Sequence, residues 1–228
     1  MSQALQQLEL ITGPEPKGSV IWMHGLGADG WDFVPIVKEL DLPDDLPLRF
    51  IFPHAPLRAV TLNNGQVMRA WYDIAMMELQ RLSDEKGIRE SQRQIEALLA
   101  REKARGMAAD KIVLAGFSQG GAIALQTGLR HAEPLAGILA LSTYLPLADS
   151  LAAEGSSTNK AIPIFMAHGT QDPIIPLALA EASRDTLKSN GYTVRWNDYP
   201  MPHSVCMEEV VAVGEWLRAR FKSRILLS

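Results

Sequence analysis

The sequence predicts an α/β fold in which a mostly parallel central sheet is covered by helices on both faces. Short apolar runs rich in β-branched residues recur at 19–23, 48–52, 111–116, 137–142, 162–167 and 193–199. Most of them are continuous rather than alternating, as strands buried on both faces must be. Longer segments of helical periodicity fall between them, and strand–helix–strand alternation closes into a parallel sheet through right-handed crossovers.

Taken in order, the run 19–23 ends in His24-Gly25-Leu26-Gly27, a glycine-bearing turn. The run 48–52 leads into a long irregular stretch, 53–86, with Pro53, Pro56 and an Asn63-Asn64-Gly65 turn signal. It also carries the large apolar groups Leu62, Met68, Trp71, Tyr72, Met76, Met77 and Leu79. A connection of that length is usually functional. Two readings stand for it: a wall or lid over a cleft, or apolar groups folded back onto the core. Next, Ile88, Ile95, Leu98 and Leu99 share one helix face, opposite Arg89, Glu90, Glu96 and Arg101. The run 111–116 enters a glycine-rich turn and then the helix-forming stretch 122–130. After the run 137–142, the stretch 147–160, with Glu154-Gly155-Ser156-Ser157, reads as a surface loop without chemistry. Val210, Val213, Leu217 and Phe221 mark the buried stripe of a last helix.

With 228 residues, no repeat and no linker, the chain reads as a single domain over 1–228, large enough for a substantial core. Its 22 basic and 26 acidic residues leave a net charge of -4 without a basic block, which argues against nucleic acid as a partner. The first ten residues have no basic n-region followed by an apolar h-region, and no window approaches the ~18 apolar residues of a membrane span. A cytoplasmic location without stable membrane insertion is the expectation. A single cysteine, Cys206, excludes an internal disulfide and a multi-cysteine metal site. It is expected one turn into the last helix, as a small buried hydrophobe. The histidines lack metal-ligand spacing, so neither a metal nor a cofactor is expected.

The chemistry begins at Gly116-Phe117-Ser118-Gln119-Gly120-Gly121. This is GxSxG between a buried strand and a helix, a turn sharp enough to lift a serine hydroxyl above the sheet edge. Glycine is required at 116 and 120 because a Cβ would collide as strand and helix close on the turn. The following helix directs free N–H groups and its positive end at the site. A serine hydroxyl is a poor nucleophile near neutral pH, so it needs a base and a third group to orient that base. Of five histidines, His24 and His54 precede the serine and could line the cleft. His131 is expected at a helix end facing solvent, and His168 is expected to support its turn through a backbone hydrogen bond. His203 follows the run 193–199 and precedes the last helix, over the carboxyl ends of the strands where open α/β sheets bind ligands. Asp172 lies on a loop between Ser118 and His203, with Asp149 and Asp198 as competitors for the acid. Serine, acid, histidine is the order of an α/β-hydrolase. An oxyanion needs two aimed N–H donors; those of Gln119, the residue after the serine, and Leu26 are the candidates.

The motifs HGLGADG (24–30), FPHAP (52–56), NNG…WYDI (63–74), GFSQGG (116–121), LSTYLP (141–146), HGTQDPIIP (168–176) and YPMPHS (199–204) together resemble the phospholipase/carboxylesterase family of acyl-protein thioesterases, lysophospholipases and small carboxylesterases. The resemblance covers nearly the whole chain. It implies an α/β-hydrolase fold without a large cap domain, Ser118, Asp172 and His203 as the triad, and the Leu26 and Gln119 amides as the oxyanion hole. It further implies that the loop through Leu62 and Trp71 forms part of an acyl-binding groove, and that the protein is a homodimer. The reaction it implies is hydrolysis of short- to medium-chain esters or thioesters. A lysophospholipase or protein-thioesterase role, a non-catalytic receptor and an acyltransferase remain alternatives.

Overall fold

The computed structural model describes residues 5–77 and 80–222, with backbone only for 75–77, 80–83 and 222. The chain begins with β1 (Gln7–Ile11), β2 (Gly18–Met23), the short helix α1 (Ile36–Glu39) and β3 (Leu48–Pro53). Two small hairpins follow, β4 (Leu57–Val60) with β5 (Gln66–Arg69), and β6 (Ile74–Met77) with β7 (Gln80–Ser83). Helix α2 (Glu85–Ala104) precedes β8 (Ile112–Phe117), α3 (Gln119–Gly128) and β9 (Gly137–Leu141). The remaining elements are α4 (Leu151–Glu154), β10 (Ile164–Gly169), α5 (Leu177–Ser189), β11 (Val194–Tyr199) and α6 (Met207–Lys222).

The central seven-stranded sheet runs β1-β3-β2-β8-β9-β10-β11. It is parallel except at β1, which pairs antiparallel with β3. Side chains leave a strand on alternate faces, so each inner strand feeds two cores. In β2, Ile21 and Met23 join Ile88, Ile95, Ile123 and Leu125 of α2 and α3. On the other face Val20 and Trp22 join Val37 of α1 and Val213, Trp216 and Leu217 of α6. Strand order reverses between β2 and β8, because the chain leaves β2 toward β3 and builds the other half of the sheet outward from β8. Such a switch point opens a crevice at the carboxyl ends of the strands. The registers Met23↔Gly116, Phe117↔Leu141 and Gly169↔Tyr199 bring the loops after β2, β8, β9, β10 and β11 to that same edge.

Four expectations are revised here. The stretch 53–86 contains two hairpins and the start of α2 rather than one irregular loop; Leu79 and the side chains of Met76 and Met77 lie outside the described residues. The loop 147–160 is anchored, because Glu154 accepts from Arg89 at 2.7 Å and from Arg130 at 2.8 Å. Those two guanidiniums hold its carboxyl down to about 2. His131 is buried against Glu96, with Nδ1 2.7 Å from the carboxylate, rather than facing solvent. Cys206 precedes α6 and is half-buried, not one turn into the helix and fully enclosed.

Candidate active site

Ser118 closes β8 and opens α3 with φ 54° and ψ -121°, a conformation that costs a non-glycine residue of order 1–3 kcal/mol. The surroundings enforce it. A Cβ on Gly116 would collide with the Gly120 backbone, and one on Gly120 with the Met23 and His24 carbonyls, so strand, turn and the loop after β2 approach closer than any side chain allows. The Ser118 N–H donates to the Leu141 carbonyl at 2.9 Å, and Thr143 Oγ1 donates to the Ser118 carbonyl at 2.6 Å. With its backbone tied to β9, the side chain lines a cavity of about 330 Å³.

The loops after β10 and β11 are laced together beside it. Thr170 N–H donates to Tyr199 O at 2.8 Å and Gln171 N–H to Met201 O at 3.1 Å, while any side chain at Gly169 would strike the Met201 and Pro202 carbonyls. This lacing brings His203 Nδ1 within 2.6 Å of Asp172 Oδ2. The other carboxylate oxygen accepts the Ile174 and Ile175 N–H groups, each at 2.8 Å. Asp172 is thereby buried and held as an acceptor, which puts the proton on His203 Nδ1 and leaves Nε2 as a lone pair. His203 lines the same cavity as Ser118. The competing acids do not: Asp149 lies in an exposed 3-10 turn and Asp198 is exposed on β11. His168, as expected, supports its turn, with Nε2 2.8 Å from the Ile175 carbonyl.

Leu26 and Gln119 are on the cavity wall, and among the described residues neither backbone N–H has a protein acceptor. Gln119 sits at the start of α3, where unpaired N–H groups and the positive helix end favour negative charge. The Leu26 loop is held from both sides. Gly27, at φ +78°, donates to Arg69 O at 2.9 Å. Buried His24 accepts the Ala55 N–H at 3.0 Å through Nε2 and donates from Nδ1 to Gly25 O at 2.6 Å. Desolvation pushes His24 down to about 4, so at neutral pH it is an uncharged strut rather than a base. His54 is likewise structural, accepting the Gly30 N–H at 3.0 Å.

The two residues expected to form an acyl groove separate. Leu62, 41% exposed, stands on the cavity wall. Trp71 is fully buried behind it. Its indole N–H donates to His24 O at 2.9 Å, its backbone N–H to Gln119 Oε1 at 3.0 Å, and Ser91 Oγ donates to its carbonyl. Trp71 braces the loop after β2 instead of touching the cavity, because its indole N–H finds a partner only inward. Its neighbour Tyr72 lines the wall, its hydroxyl 2.8 Å from that of Tyr144, which lines it too. Sequence reasoning did not single out this pair, nor the Gln119 side chain that joins Trp71 and Tyr72 to the nucleophile turn. The WY dipeptide after the hairpin was the available signal, since it sets two large aromatics with polar tips side by side, each needing a hydrogen-bond partner when buried.

Comparison with known proteins then identifies the chain. The family model described as Phospholipase/Carboxylesterase matches residues 10–220. The chain belongs to the phospholipase/carboxylesterase family. Acyl-protein thioesterase 1 of Neurospora crassa is 42% identical, with 89% of this chain and 86% of that protein covered. The Mycosarcoma maydis protein of the same name is 36% identical, covering 90% and 92%. Among solved structures, Arabidopsis thaliana SOBER1 superposes with a TM-score of 0.84 at 31% identity, over 90% of this chain and 99% of that one. Zea mays acyl-protein thioesterase 2 superposes with a TM-score of 0.81 at 28% identity, over 95% and 99%. As a member of the phospholipase/carboxylesterase family the chain is a serine hydrolase with an α/β-hydrolase fold. No helix among the described residues is long and apolar enough to cross a membrane.

Proposed function

We propose that the protein hydrolyses carboxylic ester and thioester bonds of short- to medium-chain acyl substrates, with Ser118 as nucleophile, His203 as base and Asp172 as the acid that orients it. One observation supports this above the others: Ser118, the His203 ring paired to Asp172, and two unpartnered N–H groups line one cavity with apolar walls.

Ser118 Oγ attacks the acyl carbonyl carbon as His203 Nε2 takes its proton. The oxygen becomes an oxyanion between the Leu26 and Gln119 N–H groups, each worth ~2.7–4 kcal/mol to the transition state. Asp172 steadies the imidazolium. His203 then passes the proton to the leaving oxygen or sulfur as its bond to carbon breaks, leaving the acyl group on Oγ. Water, deprotonated by the same Nε2, attacks this second ester and regenerates the free hydroxyl. The acyl chain lies along Leu26 and Leu62 toward the Tyr72–Tyr144 pair. Similarity to acyl-protein thioesterases favours including thioesters, and the family resemblance favours a homodimer.

A fluorophosphonate probe should mark the peptide containing Ser118 in the native enzyme. The mark should vanish in Ser118→Ala with the fold intact by circular dichroism. Stoichiometric labelling of that variant would overturn the assignment of the nucleophile.

A further inference from the structure

A second cavity, of about 390 Å³, lies against the first, and the two share Asp32, Phe117 and His203 as walls. The partition between them is stiff. His203 packs on Phe117 with ring centroids 4.7 Å apart, Phe117 on Phe33 at 5.7 Å, and Phe33 on the buried Trp22 at 5.3 Å, a column of rings running into the core. Beyond His203 the second cavity is bounded by Ile36, Ser204 and Val205. Nothing in the mechanism above uses it.

The reaction nevertheless needs two places, one for each half of the substrate. The acyl half is directed into the first cavity, because its carbonyl oxygen must reach the Leu26 and Gln119 N–H groups there. The other half must run past His203, because the Nε2 proton has to reach the leaving heteroatom. With Nδ1 held by Asp172, the Nε2 edge is the part of the ring free to do this. For a substrate meeting both requirements, the second cavity is the space that His203 also lines and that the acyl half leaves free. Among the described residues Asp32 is the one carboxylate lining either cavity, no lysine or arginine lines them, and Asp32 lines both. It is exposed, and Asp29 lies close enough to raise its carboxyl further beyond the upward push of burial.

We infer that the cavity bounded by Ile36, Val205 and Asp32 is the leaving-group subsite, and that Asp32 makes it select alcohols and thiols carrying a positive charge over those carrying a negative one. This rests on the triad reading above. In the step concerned, the C–S or C–O bond breaks, its electron pair stays on the heteroatom, and the proton from His203 neutralises it. The acyl carbon remains bonded to Ser118 Oγ, so no further reactant is needed. A cationic group a few bonds from the heteroatom then faces Asp32, whereas a sulfonate or phosphate there meets like charge.

The test holds the acyl group constant and changes the thiol: butyrylthiocholine, S-methyl thiobutanoate and the butyryl thioester of 2-mercaptoethanesulfonate, with released thiol measured at low ionic strength. In the native enzyme kcat/KM should favour the cationic over the anionic thioester by about tenfold, a preference that shrinks as salt rises. Asp32→Asn should reduce that ratio at least about threefold, and Asp32→Lys should reverse it. Filling the cavity with Val205→Trp should lower the ratio of butyrylthiocholine to S-methyl thiobutanoate about tenfold. Ile36→Trp, at another position lining the same cavity, serves if the first variant does not fold. Because each readout is a ratio within one protein, a partly active preparation does not disturb it. Ratios unmoved by Asp32→Asn and by the tryptophan variants would overturn the subsite while leaving the triad standing. No Ser118-dependent turnover of any of the three thioesters would overturn both.

Discussion

At the amino end of the central sheet, Glu102 is 1% exposed and both of its carboxylate oxygens accept hydrogen bonds from protein. Ser19 Oγ donates to it at 2.6 Å, Arg49 at 2.8 Å and Arg105 at 2.9 Å, and Arg105 continues to Glu9. At the carboxyl end Asp172 is just as enclosed, yet its chain of contacts ends in an imidazole on a cavity wall. The difference is where the last partner points. A polar network whose carboxylate is fully engaged by serine and arginine partners holds strands together, whereas one that ends beside a cavity keeps a lone pair available for work. Burial alone does not separate the two kinds of site; the direction of the terminal group does.

Breaking each network should therefore cost different things. Asp172→Asn keeps the Ile174 and Ile175 N–H bonds but leaves His203 in the wrong tautomer, and kcat on a short ester should fall by about 10⁴. A loss below tenfold would point to Asp149 or Asp198 instead. Glu102→Gln leaves Arg49 and Arg105 facing an uncharged amide in a buried site, which should destabilise by roughly 3–5 kcal/mol. That corresponds to about 10 °C in the thermal midpoint for a chain of this size. Activity per folded molecule should stay within twofold of the native enzyme.

The smallest effect sharpens the comparison with a third kind of site. Glu209, on α6, is buried with neither carboxylate oxygen hydrogen-bonded among the described residues, and desolvation pushes it up to about 8. Its ordinary value is 4.5. Between those values the native state holds a proton that the unfolded chain releases, so its contribution is present below pH 4.5 and lost as pH rises toward 8. His24 has the opposite slope: depressed from 6.5 to about 4, it contributes fully above pH 6.5 and loses that contribution as pH falls toward 4. Comparing Glu209→Gln with the native protein cancels His24. The variant's thermal midpoint should gain on the native one by about 5 °C between pH 5 and pH 8, measured by scanning fluorimetry. A difference that does not change with pH would mean that Glu209 is charged in the folded state.

Much of this architecture is legible in the sequence, for physical reasons that also explain the gaps. Strands buried on both faces announce themselves as unbroken apolar runs, and the nucleophile turn announces itself because only glycine tolerates the contacts at 116 and 120. The edge strand β1 gives no such signal, since QLELI buries one side only partly. The hairpins in 57–83 depend on pairings with turn residues that read equally well as loop. Trp71 looks like a groove residue because large apolar side chains suit both cavity walls and cores. What decides its role is a hydrogen bond to His24, 47 residues away in the chain. His131, Glu154 and Cys206 were misplaced for the same reason: each is defined by a partner or a helix start that local composition does not reveal. The second cavity belongs in this group as well, since Val205 comes from a segment far along the chain from Asp32 and Ile36.

The most direct measurement is a crossed one, in which turnover per active site and thermal midpoint are determined together for Asp172→Asn and Glu102→Gln. A rate collapse with a nearly native midpoint in the first, and a lowered midpoint with a nearly native rate in the second, is the expected result. If both variants lost activity in proportion to their stability, Asp172 would be one more structural carboxylate and the catalytic role of the carboxyl edge would be contradicted.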